Sequence, residues 1–339
     1  DLENDAVFLL GELYAKYKLN KHTFTLGRMK INTPLINPED GRMIPTLVQG
    51  FWYRFNAEKA KFQLGVLNEI APRSTGEFYG IGESIGTYPV GRNIYGNASA
   101  YADNTESDYV LMANAKFKLS KELSVNVWNQ YVDNVFNSVY IKPKLKVSKT
   151  ISLEGEWLHQ NKVGDGGNSI DSLRYYNQNS SDILGLKIGY KSKVGLLSLG
   201  YDRILPNGQF LSPREWGRED LFSFQKRERS EGSADNHALV FNYVNTSNVI
   251  DEELNLKTIL SIGKHWKGSV TDATLNKYAL PDYTHINLDV FFTIKKLKHL
   301  RPELLITSKI ANGNIPNNPN LYFNKVDMFH LDLILNYNF

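Results

Sequence analysis

Basic side chains recur at every second position of several short segments, on the face whose other members are polar. Ammonium and guanidinium groups along one wall would concentrate a field that attracts anions, and the arginine fork can bind both oxygens of a carboxylate. A lysine near the end of a segment has an equal claim to be a solvated rim residue, as at Lys18, Lys118 and Lys146. The pattern therefore predicts an anion-attracting surface. The positions assigned to it are Lys16, Arg54, Lys116, Lys142, Lys144, Lys187, Lys257 and Lys309.

Two long polar stretches, 70–107 and 205–235, carry further arginines. Loops of this length often fold inward and narrow a passage. The arginines of 205–235 either line a constriction, face lipopolysaccharide phosphates or face water, and the sequence does not decide among the three. The arginines are Arg73 and Arg92 in the first stretch, and Arg214, Arg218, Arg227 and Arg229 in the second. We assign Arg73, Arg92 and Arg218 to the anion-attracting surface. Asp289 and Asp332 lie on polar faces of two other segments and supply an acidic counter-face.

Catalytic and metal-binding motifs are not evident. The seven His residues have no metal-ligand spacing, no Gly-x-Ser-x-Gly turn is present, and with no Cys there is no thiolate site. We therefore expect no enzymatic activity, no cofactor and no metal. A triad assembled across segments from His159, His237 or His330 stays open as a minor alternative.

The elements that position these residues are about fifteen runs of roughly ten residues with period-2 alternation, which predicts β-strands. Ten tilted residues cross the apolar layer of a bilayer. Mean hydropathy is −0.37, as expected when outward apolar residues alternate with inward polar ones. The runs lie near 7–19, 23–30, 46–56, 60–69, 108–119, 122–133, 136–147, 150–160, 181–191, 195–204, 236–246, 254–264, 283–294, 302–312 and 326–339.

The connections between these strands alternate between short polar turns and long loops. This sorting is typical of bacterial outer-membrane barrels, with the long loops outside the cell, and the link near 134–135 is a short exception. The fold class predicted is all-β: one transmembrane antiparallel β-barrel domain over residues 1–339, with long extracellular loops near 70–107 and 205–235. Such barrels have an even strand number and both ends periplasmic. Counting back therefore predicts one or three further strands before Asp1, giving sixteen or eighteen.

The last strand gives the firmest signal. Alternate residues from Phe329 to Phe339 are apolar or aromatic, and no charge interrupts this face. Unlike the edge of a soluble sheet, the strand carries no protecting charge there. We expect this face to contact lipid. The terminal aromatic residue resembles the signal that barrel-insertion machinery recognises.

The stretch 24–55 carries a family resemblance. Phe24 to Met29 runs into Asn32-Thr33-Pro34-Leu35, followed by Arg42 to Thr46 and then Gln49-Gly50-Phe51. This arrangement is similar to the OprD family of outer-membrane porins. The resemblance implies an eighteen-stranded monomer that selects small carboxylate-bearing solutes through a ladder of basic residues, with inward-folded loops narrowing the pore. Here the ladder has more Lys than Arg.

The leading hypothesis is an outer-membrane porin of a Gram-negative bacterium that passes small anionic or carboxylate-bearing solutes by passive diffusion. The alternative is a structural or complex-forming barrel with a plugged lumen and partner-binding loops. Expected partners are outer-membrane lipids, lipopolysaccharide and small solutes. A net charge of +3 gives no reason to expect nucleic acid. We expect a monomer rather than a trimer, and a complex with other membrane proteins stays open.

Overall fold

A computed structural model describes residues 8–38, 44–88, 91–250, 253–313 and 326–337. It contains a single antiparallel sheet in which the strands follow one another in sequence order. The strands are β1 Leu13–Leu19, β2 His22–Met29, β3 Leu47–Asn56, β4 Ala60–Ala71, β5 Tyr79–Gly80, β6 Val110–Lys118, β7 Leu123–Val132, β8 Phe136–Lys146, β9 Ile151–Lys162, β10 Ser180–Ser192, β11 Gly195–Ile204, β12 Asn236–Ile250, β13 Leu254–Trp266, β14 Tyr283–Ile294, β15 Leu300–Ala311 and β16 Met328–Tyr337.

The predicted strands are confirmed in number and order. Fifteen strands form the continuous path from β1 to β16, and the two-residue β5 pairs with the end of β4. β1 begins at Leu13, later than predicted. Leu13 pairs with Arg28, and because β2 ends at the next residue, Met29, the earlier residues of the chain have almost no partner on β2. The predicted total of eighteen strands counts elements beyond those described and stays a prediction. Arg42, Asn338 and Phe339 lie outside the described residues.

Connections of two sizes separate the strands by end. Turns such as 20–21, 57–59 and 193–194 lie at one end, called here the short-turn end. The opposite, long-loop end carries long connections, including 72–109 and 205–235. As predicted, the link between β7 and β8 is the short exception at this end, and it turns at Asn134 with φ of 55°.

One face of the sheet is apolar and exposed. In β16, Phe329, Leu331, Leu333 and Leu335 are each at least 60% exposed. In β10, Leu186 is 70% exposed. Such a band would be costly in water but is the expected surface of a strand that contacts lipid. The predicted outward parity of the last strand is confirmed for these residues.

Loops cover the opposite face at the long-loop end. The hydrophobic core lies at the long-loop end, where loop residues such as Ile36, Trp216 and Phe210 pack against strand ends at Val48 and Phe136. Among the described residues, no helix is long and apolar enough to cross a membrane. Secondary structure outside the sheet includes two single-turn 3₁₀ helices, Asp171–Leu173 and Arg214–Trp216.

Candidate pore constriction

The connection between β11 and β12, residues 205–235, folds back over the inward face of the sheet and is called here the inserted segment. Its backbone is held by two buried carboxylates. The amide of Phe222 donates to Glu156 Oε1 at 2.9 Å, and that of Ser223 donates to Asp202 Oδ2 at 2.6 Å. A buried acceptor left without a hydrogen-bond donor costs free energy, so each of these bonds stabilises the arrangement. Glu156 and Asp202 therefore fix the path of the inserted segment.

Gly185 makes room for this pair of carboxylates. It lies on β10 in one register row between Glu156 on β9 and Asp202 on β11. A Cβ at this position would overlap Asp202 Oδ1 and lie 2.6 Å from Glu156 Cγ. The absence of a side chain lets both carboxylates point inward from adjacent strands.

The inserted segment also crosses to the last three strands. Lys226 Nζ lies 2.7 Å from Asp289 Oδ2 on β14 and 2.6 Å from Glu303 Oε1 on β15. Arg227 Nη2 lies 2.7 Å from Asp332 Oδ2 on β16. Because the same segment is anchored to β9 and β11, the sheet must curve around it.

At Glu228 the roles are reversed: the inserted segment supplies the carboxylate and the sheet supplies the cation. This carboxylate, from the inserted segment, lies 2.9 Å from Lys309 Nζ and 3.1 Å from His285 Nδ1, and it also accepts a hydrogen bond from the Tyr283 hydroxyl. Burial opposes its charge, but the attraction of Lys309 and the bond from His285 hold the pKa of Glu228 well below its ordinary value. Glu228 is therefore an anion at neutral pH, and it neutralises a cation of the sheet.

Residues 30–38, which follow β2, support the inserted segment from another side. Asn37 donates from its side chain to the Arg218 carbonyl at 2.8 Å, and its Oδ1 accepts from the Arg218 amide at 3.1 Å. Gly217 adopts φ of 142°, and a Cβ there would lie 2.8 Å from the Asn37 backbone nitrogen. Trp216 is fully buried and donates from Nε1 to Ser84 Oγ at 2.8 Å.

The ammonium of Lys277 is enclosed by one carboxylate and three tyrosine rings from different loops. Lys277 Nζ lies 2.9 Å from Glu231 Oε1 and 4.8, 5.2 and 5.3 Å from the ring centroids of Tyr101, Tyr175 and Tyr278. Cation–π contacts gain strength when the cation is desolvated, and Lys277 is 3% exposed. The cage connects the inserted segment to loops 72–109, 163–179 and 267–282.

The structure divides the predicted basic surface into three groups. The first group is bound by the inserted segment. Lys142 Nζ lies 3.2 Å from Asp220 Oδ2 and 3.4 Å from Glu156 Oε2, and its side chain is 17% exposed. Lys309 is paired with Glu228 as described and is 5% exposed. These two lysines lie on the predicted inward face, where they anchor the segment.

The second group consists of the predicted loop arginines, which hold loops together. Arg92 Nη2 donates to the carbonyls of Asn276 at 2.6 Å and Val270 at 3.0 Å. Arg73 is buried and donates from Nε to the Tyr88 hydroxyl at 3.2 Å. Burial, followed by the charge of Arg229, lowers the pKa of Arg73 to about 10. The guanidinium of Arg218 lies 5.0 Å from the ring centroid of Phe224.

The third group lies on the inward face toward the short-turn end and keeps greater contact with solvent. Lys144 Nζ pairs with Glu154 Oε1 at 2.8 Å. The ammoniums of Lys187 and Lys257 lie 5.6 and 5.5 Å from the ring centroids of Phe222 and Phe291. The remaining members, Lys16, Arg54 and Lys116, are exposed.

Several residues of the constriction were missed by the sequence analysis. Glu156, Asp202 and Glu303 hold the inserted segment, and Lys226 and Glu228 are its charged contacts. A signal was present for the three wall residues, because each lies on the inward parity of its strand. Lys226 and Glu228 carry no periodic signal, since they lie in an irregular stretch.

A group with metal-ligand chemistry is part of this constriction. Glu228, His265 and His285 each place one potential ligand atom within 4.8 Å of the others, and all three are buried. Lys309 Nζ already lies 2.9 Å from Glu228 Oε2, so the carboxylate is neutralised by a fixed ammonium. This pairing gives the cluster a role in holding the inserted segment.

This chain forms a single antiparallel sheet with an apolar outer face and a loop folded over its inward face. These features are those of β-barrel membrane channels. A model of the OprD family of outer membrane porins matches residues 3–242. The chain belongs to the OprD family, and it is an outer-membrane protein of a Gram-negative bacterium. No curated protein sequence matches it.

Solved structures share the fold at low sequence identity. Pseudomonas aeruginosa OccK3 (OpdO) superposes with a TM-score of 0.70 at 15% identity, covering 96% of this chain and 78% of its own. P. aeruginosa OpdK, solved with vanillate, superposes with a TM-score of 0.68 at 14% identity, over 96% of this chain and 77% of the OpdK chain. Acinetobacter baumannii OccAB2 superposes with a TM-score of 0.70 at 13% identity, over 96% of this chain and 75% of the OccAB2 chain.

Proposed function

We propose that this porin passes small anionic solutes, including carboxylates, by passive diffusion, and that its long loops face the outside of the cell. The observation that carries the proposal is the third basic group on the inward face. Within the described residues, Lys16, Arg54, Lys116, Lys187 and Lys257 form no ion pair. Unpaired cations along a low-dielectric wall favour anions in the passage.

The constriction supports selection by size and charge. The inserted segment presents Lys226 and Arg227 toward the acidic residues of β14–β16, so its charges are largely satisfied within the protein. A solute therefore meets a narrow passage with paired charges at its centre and unpaired lysines beyond it. The vanillate bound by OpdK, a carboxylate, is consistent with this class of solute.

Single-channel recording in planar bilayers tests the proposal. In a gradient of potassium chloride, we expect a reversal potential that indicates preference for chloride. The combined variant Lys116→Gln/Lys187→Gln should shift that potential toward the cation-selective value. A variant at a lipid-facing position, Leu184→Val, should leave it unchanged. A channel without conductance, or one that prefers potassium, contradicts the proposal.

A second candidate is a complex-forming barrel whose lumen is plugged. The anchoring of the inserted segment to both β9 and β14–β16 favours it, because a segment held at both sides can block a passage. Under this function the purified protein does not conduct and co-purifies with a stoichiometric partner. Under the leading proposal it is a conducting monomer whose rim contacts outer-membrane lipids and lipopolysaccharide, and it performs no catalysis.

A further inference from the structure

Two adjoining clefts open at the short-turn end of the sheet. Their volumes are about 580 and 650 Å³, and they share Lys121, Glu122, Lys144 and Lys146. Together their linings contain seven lysines, two glutamates and no arginine. This part of the molecule takes no part in the constriction described above.

The lysines arrive in the clefts from several neighbouring strands. Lys118 on β6 and Lys144 on β8 both pair in register with Ser124 on β7. Two strand spacings, roughly 10 Å, therefore separate the two backbones, and the flexible lysine stems can converge above the serine. Lys146 extends the row toward the turn, and Lys191 enters the second cleft from β10.

Little negative charge offsets these ammoniums. Lys144 pairs with Glu154 at 2.8 Å. In the described parts of the chain, the other six lysines of the clefts form no ion pair. Like charges on neighbouring strands repel one another. The same repulsion extends to the next strand, where Lys61 lies directly opposite Lys116. A bound anion would relieve this repulsion.

We infer that the short-turn clefts bind small anions carrying two or more negative charges. A monocarboxylate can neutralise only one of several separated ammoniums, whereas a diphosphate or a tricarboxylate can contact two or three at once. Lysine acts as a compact point charge and does not require the planar geometry that suits arginine to a single carboxylate. The inference rests on the proposed function, and it assigns polyvalent anions to the mouth of that same passage.

Channel block by pyrophosphate and by citrate, added separately to each side of a planar bilayer, tests the inference. Acetate at equal ionic strength is the monovalent control. We expect pyrophosphate and citrate to block from the short-turn side at concentrations on the order of tenfold below those needed from the opposite side. Because the chain has no Cys, Lys193→Cys and a membrane-impermeant thiol reagent identify the short-turn side.

Two variants of equal charge provide the matched comparison. Lys118→Gln/Lys144→Gln should abolish the sidedness of the block. Lys193→Gln/Lys296→Gln removes two exposed lysines outside the clefts and should preserve it. Block that is equal from both sides, or no stronger for pyrophosphate and citrate than for acetate, overturns the inference. Loss of anion preference in chloride gradients is a separate result that contradicts the proposed function.

Discussion

Glu228 shows how a single residue ties the inserted segment to the sheet. It meets Lys309 and His285 in an environment where none of the three side chains is more than 6% exposed. Removal of one member of such a buried pair leaves the other charge without compensation. Glu228 is therefore important for stability because its removal would leave the Lys309 ammonium buried without a counter-charge.

The first prediction concerns this pair. Glu228→Gln should lower the free energy of unfolding by about 3–5 kcal/mol, because it leaves the Lys309 ammonium buried and unpaired. Lys309→Met should cost a similar amount. The double variant should cost less than the sum, because neither charge then remains. Urea unfolding in lipid vesicles measures all three, and additive costs would show that the two groups are not coupled.

At the scale of the element, the arrangement of β9, β10 and β11 depends on alternation. Each strand sends every second side chain inward, and one register row places Glu156, Gly185 and Asp202 side by side. Two carboxylates on adjacent strands can both reach the inserted segment only if the strand between them contributes no side chain. A glycine in the interior of a strand often marks such a close approach.

The second prediction uses a matched pair of glycines. Gly185→Ala introduces a Cβ that overlaps the carboxylates, and it should destabilise the protein by about 1–3 kcal/mol. Gly155→Ala on β9 meets Pro143 Cγ at 3.3 Å on the other face and should cost less. Tryptophan fluorescence, compared with that of a Trp216→Phe control because the chain has five tryptophans, reports whether the inserted segment shifts. Equal behaviour of the two glycine variants would show that Gly185 is not needed to seat the carboxylates.

Parity along the strands explains how much of this the sequence could predict. The inward position of Asp332 follows from counting alternate residues, and β16 confirms its outward neighbours Leu331 and Leu333 as exposed. The partner of Asp332 is Arg227, 105 residues away in an irregular segment. Nothing periodic specifies the path of that segment, because it is set by tertiary contacts. The strands were therefore predictable, and the pairings across the constriction were not.

At the scale of the whole molecule, the sheet has one apolar surface, which is stable against lipid, and one polar surface, which is stable in water. The outward face is apolar along its strands, as at Leu184, Leu186 and Ile188, while the inward face of the same strand carries Lys187. A bilayer outside and water inside satisfy both faces at once. The same sequence would expose a continuous apolar surface if the protein were placed in water.

The third prediction tests this division at neighbouring positions. Leu186→Arg places a charge against lipid and should destabilise the folded protein by about 2–4 kcal/mol at the bilayer midplane. Lys187→Arg keeps a charge on the inward face and should change stability by less than about 0.5 kcal/mol. Equilibrium unfolding in phospholipid vesicles measures both. A tolerated Leu186→Arg would mean that this face is not in the membrane.

The inserted segment also imposes an order on how the molecule is made. It lies between β11 and β12 in the chain, yet Lys226, Arg227 and Glu228 make their ionic contacts to β14, β15 and β16. Those contacts cannot form until the carboxyl-terminal strands are paired, and contacts between distant residues form slowly because a long loop must first close. The interior is therefore completed after the wall. Until then, Lys226 and Arg227 lack the acidic partners that hold them.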